Sequence, residues 1–153
     1  MRVVIQRVLS SSVEDETGRI NSIGKGLLIL LGIEESDNNH DIEYLTGKIS
    51  RLRIFDDQNG VMNLSVADIR GDLLIISQFT LHADTKKGNR PSYIRAARPE
   101  TAIPLYEKFI STMQIITGLN IQTGWFGAHM NVSLVNDGPV TIIIDSKPDH
   151  FRS

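Results

Sequence analysis

Apolar residues fall along the chain in blocks whose spacing changes from one block to the next. Arg2 to Val13 is rich in Val and Ile and alternates in part, which predicts a strand. Glu14 to Gly18 is a polar turn, Arg19 to Ile23 a short second strand, and Gly24-Lys25 turns the chain again. Gly26 to Gly32 (Gly-Leu-Leu-Ile-Leu-Leu-Gly) is uninterrupted apolar sequence bounded by glycine, the pattern of a fully buried strand.

The period then becomes helical. Ile42, Leu45, Ile49 and Leu52 recur at helical spacing and share one face, with Glu43, Lys48 and Arg51 opposite. The spacing predicts a helix over residues 39–53, capped by Asp37 or Asn38. A turn at Asp56 to Gly60 leads to a short strand at Val61 to Val66, and a turn at Arg70 to Asp72 leads to a buried strand at Leu73 to Ser77. His82 to Pro99 reads as a long basic loop, interrupted by Gly88 and Pro91. A second helix starts between Pro99 and Pro104, buries Leu105, Tyr106, Phe109, Ile110 and Met113, and stops at Gly118. Ile121, Thr123 and Met130 to Val135 are extended, Asn136 to Pro139 is a turn, Val140 to Asp145 is a last buried strand, and Ser146 to Ser153 is a polar, frayed tail.

Many strands around two helices, without strict alternation, define an α+β fold. The first three strands predict a meander curling into an antiparallel-rich partial barrel. The 153 residues form one domain.

Composition narrows the chemistry. With 41% hydrophobic and 22% charged residues the chain is an ordinary globular one. It has no cysteine, which excludes disulfides, zinc–thiolate sites and a thiol nucleophile, and fits a cytoplasmic protein. No apolar run approaches the roughly 20 residues of a spanning helix, and the start reads as a strand rather than a secretory signal. A net charge of −2 argues against a global positive field for nucleic acid, but Lys86, Lys87, Arg90, Arg95 and Arg98 concentrate positive charge locally.

The four histidines are scattered, so no metal site is expected. Phosphate-loop, dinucleotide-binding and nucleophile-elbow motifs are absent. Two segments remain, each beside a buried strand: Ser77-Gln78-Phe79-Thr80-Leu81 and Asn136-Asp137-Gly138-Pro139-Val140-Thr141. Polar side chains at a strand end are rigidly placed for a site. Taken singly, the first also reads as a strand end whose Gln78 and Thr80 satisfy backbone groups, and the second as a hairpin turn.

Together the two segments resemble the paired signature motifs of the D-aminoacyl-tRNA deacylase family. The likeness extends to Met1–Val8, Met62–Ser65, Lys87–Tyr93 and Phe126–Met130, nearly the whole chain. The resemblance implies a homodimer in which a cis Gly138–Pro139 dipeptide enters the partner's pocket and binds the α-amino group of the substrate. A backbone wall of that kind excludes an L side chain by clash, tolerates many D side chains and leaves glycine, including glycine on tRNA(Ala), as a possible substrate. Asn136 and Met130 join Gly138 and Pro139 as substrate-binding candidates. Ser77, Gln78, Phe79 and Thr80 are the catalytic candidates, with backbone N–H groups near Phe79 and Thr80 as an oxyanion hole. Thr80 as nucleophile and water assisted by the ribose 2′-hydroxyl both stay open; the second is favoured because no base adjoins Thr80 in the sequence. The basic residues are assigned to acceptor-stem phosphates, and no metal or organic cofactor is implied. A non-catalytic RNA-binding module and a small-molecule esterase using Ser77 or Thr80 are the rival readings.

Overall fold

Strand β1 (Arg2–Asp15) runs through the middle of the sheet and is paired along both edges. The computed structural model that shows this describes residues 1–147. On one edge lie β2 (Ile20–Ile23) and β3 (Gly26–Gly32), both antiparallel. Ser11 faces Ile23 and Val8 faces Gly26, so one register continues through both. The predicted three-strand meander is therefore one long hairpin whose return arm is interrupted at Gly24-Lys25. On the other edge β8 (Met130–Asp145) runs antiparallel from Arg2↔Asp145 to Asp15↔Met130.

The sheet continues from β3 to β6 (Asp72–Ser77) and β7 (Ile121–Thr123), both in parallel pairing. Parallel neighbours need a crossover, and the two helices supply it. Helix α1 (Asn39–Ser50) lies between β3 and β6, and α2 (Pro99–Thr117) between β6 and β7. A small separate hairpin, β4 (Phe55–Asp56) with β5 (Met62–Leu64), replaces the longer strand predicted at 61–66. The result is the predicted α+β class, a curled mixed sheet with two main helices.

Both helices cover one face. Val3, Ile5, Leu27, Ile29, Leu31, Leu73 and Ile75 point toward Ile42, Leu45 and Ile49 of α1 and Tyr106, Phe109 and Met113 of α2. Each such side chain, fully buried, contributes roughly 1.5–3 kcal/mol. The alternate residues Leu28, Leu74 and Ile76 form a second cluster on the opposite face, with Leu30, Trp125 and Met130 packed against it. Glycine is required where β3 begins: a Cβ at Gly26 would lie 1.9 Å from the Asp72 carbonyl oxygen.

Asn38 caps α1 by accepting from the His40 N–H, and Asp41 accepts from the Asn38 N–H in return. The helix ends at Ser50, not near Arg53, so Leu52 packs against the core from beyond its end. Gly118 closes α2 in the left-handed conformation, φ 63°. Of the polar tail, Ser146 and Lys147 are tied down rather than frayed: Ser146 Oγ donates to Asp41 Oδ1 at 2.6 Å, and Lys147 Nζ to Asp37 Oδ1 at 2.7 Å. Residues 148–153 lie outside the described residues.

Candidate active site

Strand β6 delivers the first signature segment to the end of the sheet. Ser77 pairs with Leu31, and the Gln78 N–H donates to the Leu31 carbonyl at 2.8 Å. The chain then winds into a 3₁₀ turn over Phe79–His82, where sequence periodicity indicated only a strand end. Its first internal bond runs from the Leu81 N–H to the Gln78 carbonyl, so the N–H groups of Phe79 and Thr80 precede the bonded ladder. The Gln78 side-chain amide donates to Thr80 Oγ1.

Two buried features hold this turn. Gly32 lies directly beneath it, and a Cβ there would meet Leu81 Cβ at 2.9 Å, His82 Cδ2 at 3.0 Å and the Gln78 oxygen at 3.1 Å. His82 is buried, with Nδ1 3.3 Å from Glu34 Oε1. Burial pushes its imidazole below the ordinary range, against the pull of the Gly32 backbone and the Glu34 carboxylate. His82 is thus a packing residue under the turn, and no group of acidic and histidine side chains suited to a metal occurs among the described residues.

Ser77, Gln78 and Phe79 form one wall of a cavity of about 240 Å³. Its other wall is Phe126 to Met130 with Val132, and Ile76 lies at its floor. Met130 lines the cavity, its Sδ accepting from the Trp125 N–H at 3.4 Å. The far wall is braced from β1: Asp15 stands opposite Met130 in the ladder, and its carboxylate binds the Thr17 and Arg19 N–H groups. The Arg19 guanidinium lies 4.6 Å from the Trp125 ring centroid. Burial alone would raise the pKa of Asp15, but these bonds and those from the Thr17 hydroxyl and the Arg19 side chain outweigh it and hold it at about 2.

The second signature segment stands apart from this cavity. Val8 pairs with Asn136 and Gln6 with Thr141, so residues 137–140 bulge out of β8 opposite Arg7 alone. The predicted turn is thus an excursion within one continuous strand, and its Gly138–Pro139 bond is cis. Asn136 Nδ2 closes the base of the excursion by donating to the carbonyls of Arg7, 3.2 Å, and Val140, 3.0 Å. Gly138 and Pro139 are exposed and are not among the residues that line their own chain's cavity.

Arg7 is the residue that sequence reasoning missed. It is buried behind the excursion, donating through Nε to the Asp137 carbonyl at 3.0 Å and through Nη1 to the Ile54 carbonyl at 2.7 Å. Its parity carried the signal: Arg7 follows Val3 and Ile5 on the inward-facing side of β1. Gly127, Ala128 and His129 also line the cavity without having been assigned a role.

The basic loop is irregular, as predicted, and closed at its root by a bridge between Asp84 and Ser92. Lys86, Lys87 and Arg90 extend from it, exposed. Arg95 is engaged differently, pairing with Glu34 Oε1 at 2.6 Å, while the Arg98 backbone N–H starts α2 by donating to Glu35.

The family model for D-Tyr-tRNA(Tyr) deacylase matches residues 4–145. The chain belongs to this deacylase family. A D-aminoacyl-tRNA deacylase of Flavobacterium psychrophilum is 62% identical over 147 residues, covering 96% of this chain and 98% of the relative. One from Bacteroides thetaiotaomicron is 59% identical over the same length and coverage. Among solved structures, the c-Myc DNA unwinding element binding protein superposes with a TM-score of 0.90 at 38% identity, covering 96% of this chain and 99% of that one. A probable eukaryotic D-amino acid tRNA deacylase superposes at 0.81 with 15% identity, over 94% and 97% of the two chains, a likeness of fold. The two signature segments thus sit on two different strands of the sheet, one at the end of β6 and one in an interruption of β8.

Proposed function

We infer that the chain is a hydrolase of the ester joining a D-amino acid to the 3′-terminal ribose of tRNA. Family membership and the high identity to deacylases over nearly the whole chain support the activity. The observation that carries the mechanism is the Phe79–Thr80 pair of N–H groups beside a small cavity, ahead of the hydrogen-bonded turn.

Water attacks the ester carbonyl, its proton passing toward the ribose, and the carbonyl oxygen becomes an oxyanion facing the Phe79 and Thr80 N–H groups. Collapse breaks the bond to the ribose oxygen, which leaves protonated. Thr80 is already engaged by Gln78, and among the described residues no basic side chain is bonded to it, so the ribose 2′-hydroxyl is the better activator of water. Ser77 and Gln78 orient the ribose and ester, and Met130 packs against the bound group.

Chiral selection falls to Gly138 and Pro139. Exposed and outside the lining of their own cavity, they act in the cavity of a second copy, and their carbonyls accept the α-amino group. Support for a second copy comes from Leu9, Val132, Leu134 and Val135, apolar side chains exposed along β1 and β8. Glycine, lacking a side chain to clash, is a substrate as well, including glycine on tRNA(Ala). Lys86, Lys87, Arg90 and Arg98 contact acceptor-stem phosphates, with Arg95 holding the loop root to Glu34. No cofactor takes part.

Release of labelled amino acid from D-tyrosyl-tRNA and L-tyrosyl-tRNA, run in parallel, tests this. Rapid loss of the D-ester alone is expected. An intact D-ester at high enzyme concentration would leave an RNA-binding module, and equal loss of both esters would remove the chiral role of Gly138 and Pro139.

A further inference from the structure

The chain leaving β3 touches both the turn after β6 and the root of the basic loop. Leu31 accepts from the Gln78 N–H at 2.8 Å, and Gly32 lies under the turn at Phe79–His82. The next residues hold the loop root. The Ala97 N–H donates to the Ile33 carbonyl at 2.8 Å, Glu34 bridges to Ala96, and Glu35 accepts from the Arg98 N–H at 3.1 Å and the Thr101 hydroxyl at 2.7 Å. One buried carboxylate stands between the two segments: Glu34 Oε1 is 2.6 Å from Arg95 Nη2 and 3.3 Å from His82 Nδ1. The Glu34 side chain is 6% exposed and that of Arg95 40%, so the guanidinium reaches from the surface to a buried charge. Among the described residues neither ring nitrogen of His82 has a hydrogen-bond partner of good geometry. A buried imidazole in that state gains by completing a bond, and Glu34 Oε1 is an acceptor within reach.

We propose that Glu34 is a positioning residue for the hydrolysis: through Arg95 and His82 it lets RNA seated on the basic loop set the turn that carries the Phe79 and Thr80 N–H groups. This rests on the deacylase reading above and extends it to how the RNA stem assists the chemistry. Phosphates arriving at Lys87 and Arg90 load a loop whose root includes Arg95. A buried carboxylate follows its cation, so a displacement of Arg95 moves Glu34. Glu34 in turn acts on His82, the last residue of the turn, by making or withholding the acceptor for Nδ1. The other charged groups facing His82 belong to the sheet and its edge: Arg2 holds Asp145 at 2.7 Å and donates to the Leu81 carbonyl at 2.9 Å, and the Met1 amino group holds Asp37 at 2.6 Å. The Glu34–Arg95 pair leads instead to the loop. Donors for an oxyanion act only when held at the right place, so a small shift of the turn is read in the rate and not in binding.

The test compares two esters on the full-length protein: D-tyrosyl-tRNA, and D-tyrosyl-CCA, a trinucleotide that has the 3′ end but no stem to load the loop. Wild type should turn over the tRNA ester with the higher kcat. Glu34→Gln should lower kcat on the tRNA ester about tenfold with KM within about twofold, and lower kcat on the trinucleotide about threefold at most. Arg95→Met should do the same, and it carries the test if Glu34→Gln loses its fold. Arg95→Lys, which keeps a charge for Glu34, should recover most of the kcat lost in Arg95→Met. Adding His82→Asn to Glu34→Gln should cost little more, because the two act in series. Equal proportional losses on both esters would show general damage to the fold and overturn the linkage, as would an unchanged kcat on the tRNA ester or a wild type with the same kcat on both. A wild type that hydrolyses neither ester would instead strike the deacylase reading, and the linkage with it.

Discussion

The turn at Ser77–His82 and the excursion at Asp137–Val140 are both short interruptions beside buried strands, yet they are held in opposite ways. The turn is held from below by contact: Gly32 and His82 leave no spare room under it. The excursion is held from behind by charge: Arg7 reaches through the sheet edge to the Asp137 carbonyl and carboxylate. Contact fixes atoms to within a few tenths of an ångström, as the oxyanion role proposed for the Phe79 and Thr80 N–H groups requires. A guanidinium fixes the orientation of a backbone segment while leaving its outer surface exposed for something else to meet. One region is packed within its own chain; the other keeps an exposed outer surface.

The largest effect should come from disturbing the contact. Gly32→Ala places a methyl group against Leu81, His82 and Gln78, and is expected to lower kcat about 100-fold by displacing the turn. Thermal unfolding should report only ~1–3 kcal/mol of overpacking. Unchanged kcat would mean that the turn is not the rigid half of the comparison.

Arg7→Met removes the charge while keeping the length. Stability should fall by ~1.5–3 kcal/mol as the hydrogen bonds to Asp137 and Ile54 are lost. D-ester hydrolysis should change little, whereas L-ester hydrolysis should rise about tenfold, ~1.4 kcal/mol of discrimination. Parallel loss on both esters would show that the excursion shapes catalysis rather than selection.

Thr80→Ala sharpens the turn's role. Its backbone N–H survives, so activity should stay within about tenfold of wild type; a nucleophilic hydroxyl would instead cost on the order of a thousandfold or more.

The smallest effect concerns the brace on the far wall. The carboxyl of Asp15 titrates at about 2 in the folded chain against 3.8 for the ordinary group. A depressed folded pKa contributes stability that is complete above the unfolded value and lost as pH falls through the folded one. The stability difference between wild type and Asp15→Asn should therefore be constant above about pH 5 and shrink toward pH 2. Denaturant titrations across that range will show it; a difference that grows on acidification would reverse the sign and remove Asp15 as the brace.

How much of this was legible in the sequence depends on what periodicity reports. Periodicity reports burial, so β3, β6 and the bodies of α1 and α2 came out nearly where the structure has them. It does not report pairing partners. For that reason periodicity predicts a meander where the structure has a single interrupted hairpin, and it ends β1 at Val13, although Glu14 and Asp15 still pair across to β8. Asn-Asp-Gly-Pro carries every local turn signal, and only its flanks, held in the ladder with β1, make it an interruption of one strand. Residue type places an arginine on the wet side of an alternating strand, and at Arg7 the inward parity outranks it. The site split along the same line. Ser77 to Phe79 and Met130 could be nominated from motifs, but the contacts of Glu34 with Arg95 and His82 join segments that nothing in their local sequence connects.

The pairing of β1 on both edges also sets a sequence of events in biosynthesis. Its hairpin partners β2 and β3 follow at once, whereas β8 is made only after both helices and the basic loop. Until then a strand rich in Val and Ile keeps one row of N–H and C=O groups bare, an invitation to pair with other chains. Elongation at about 5–20 residues per second prolongs that vulnerable interval to several seconds. The strand that carries Gly138 and Pro139 is therefore also the seal that ends it, and a nascent chain stalled before Met130 would lack protection from aggregation as well as the segment proposed for chiral discrimination.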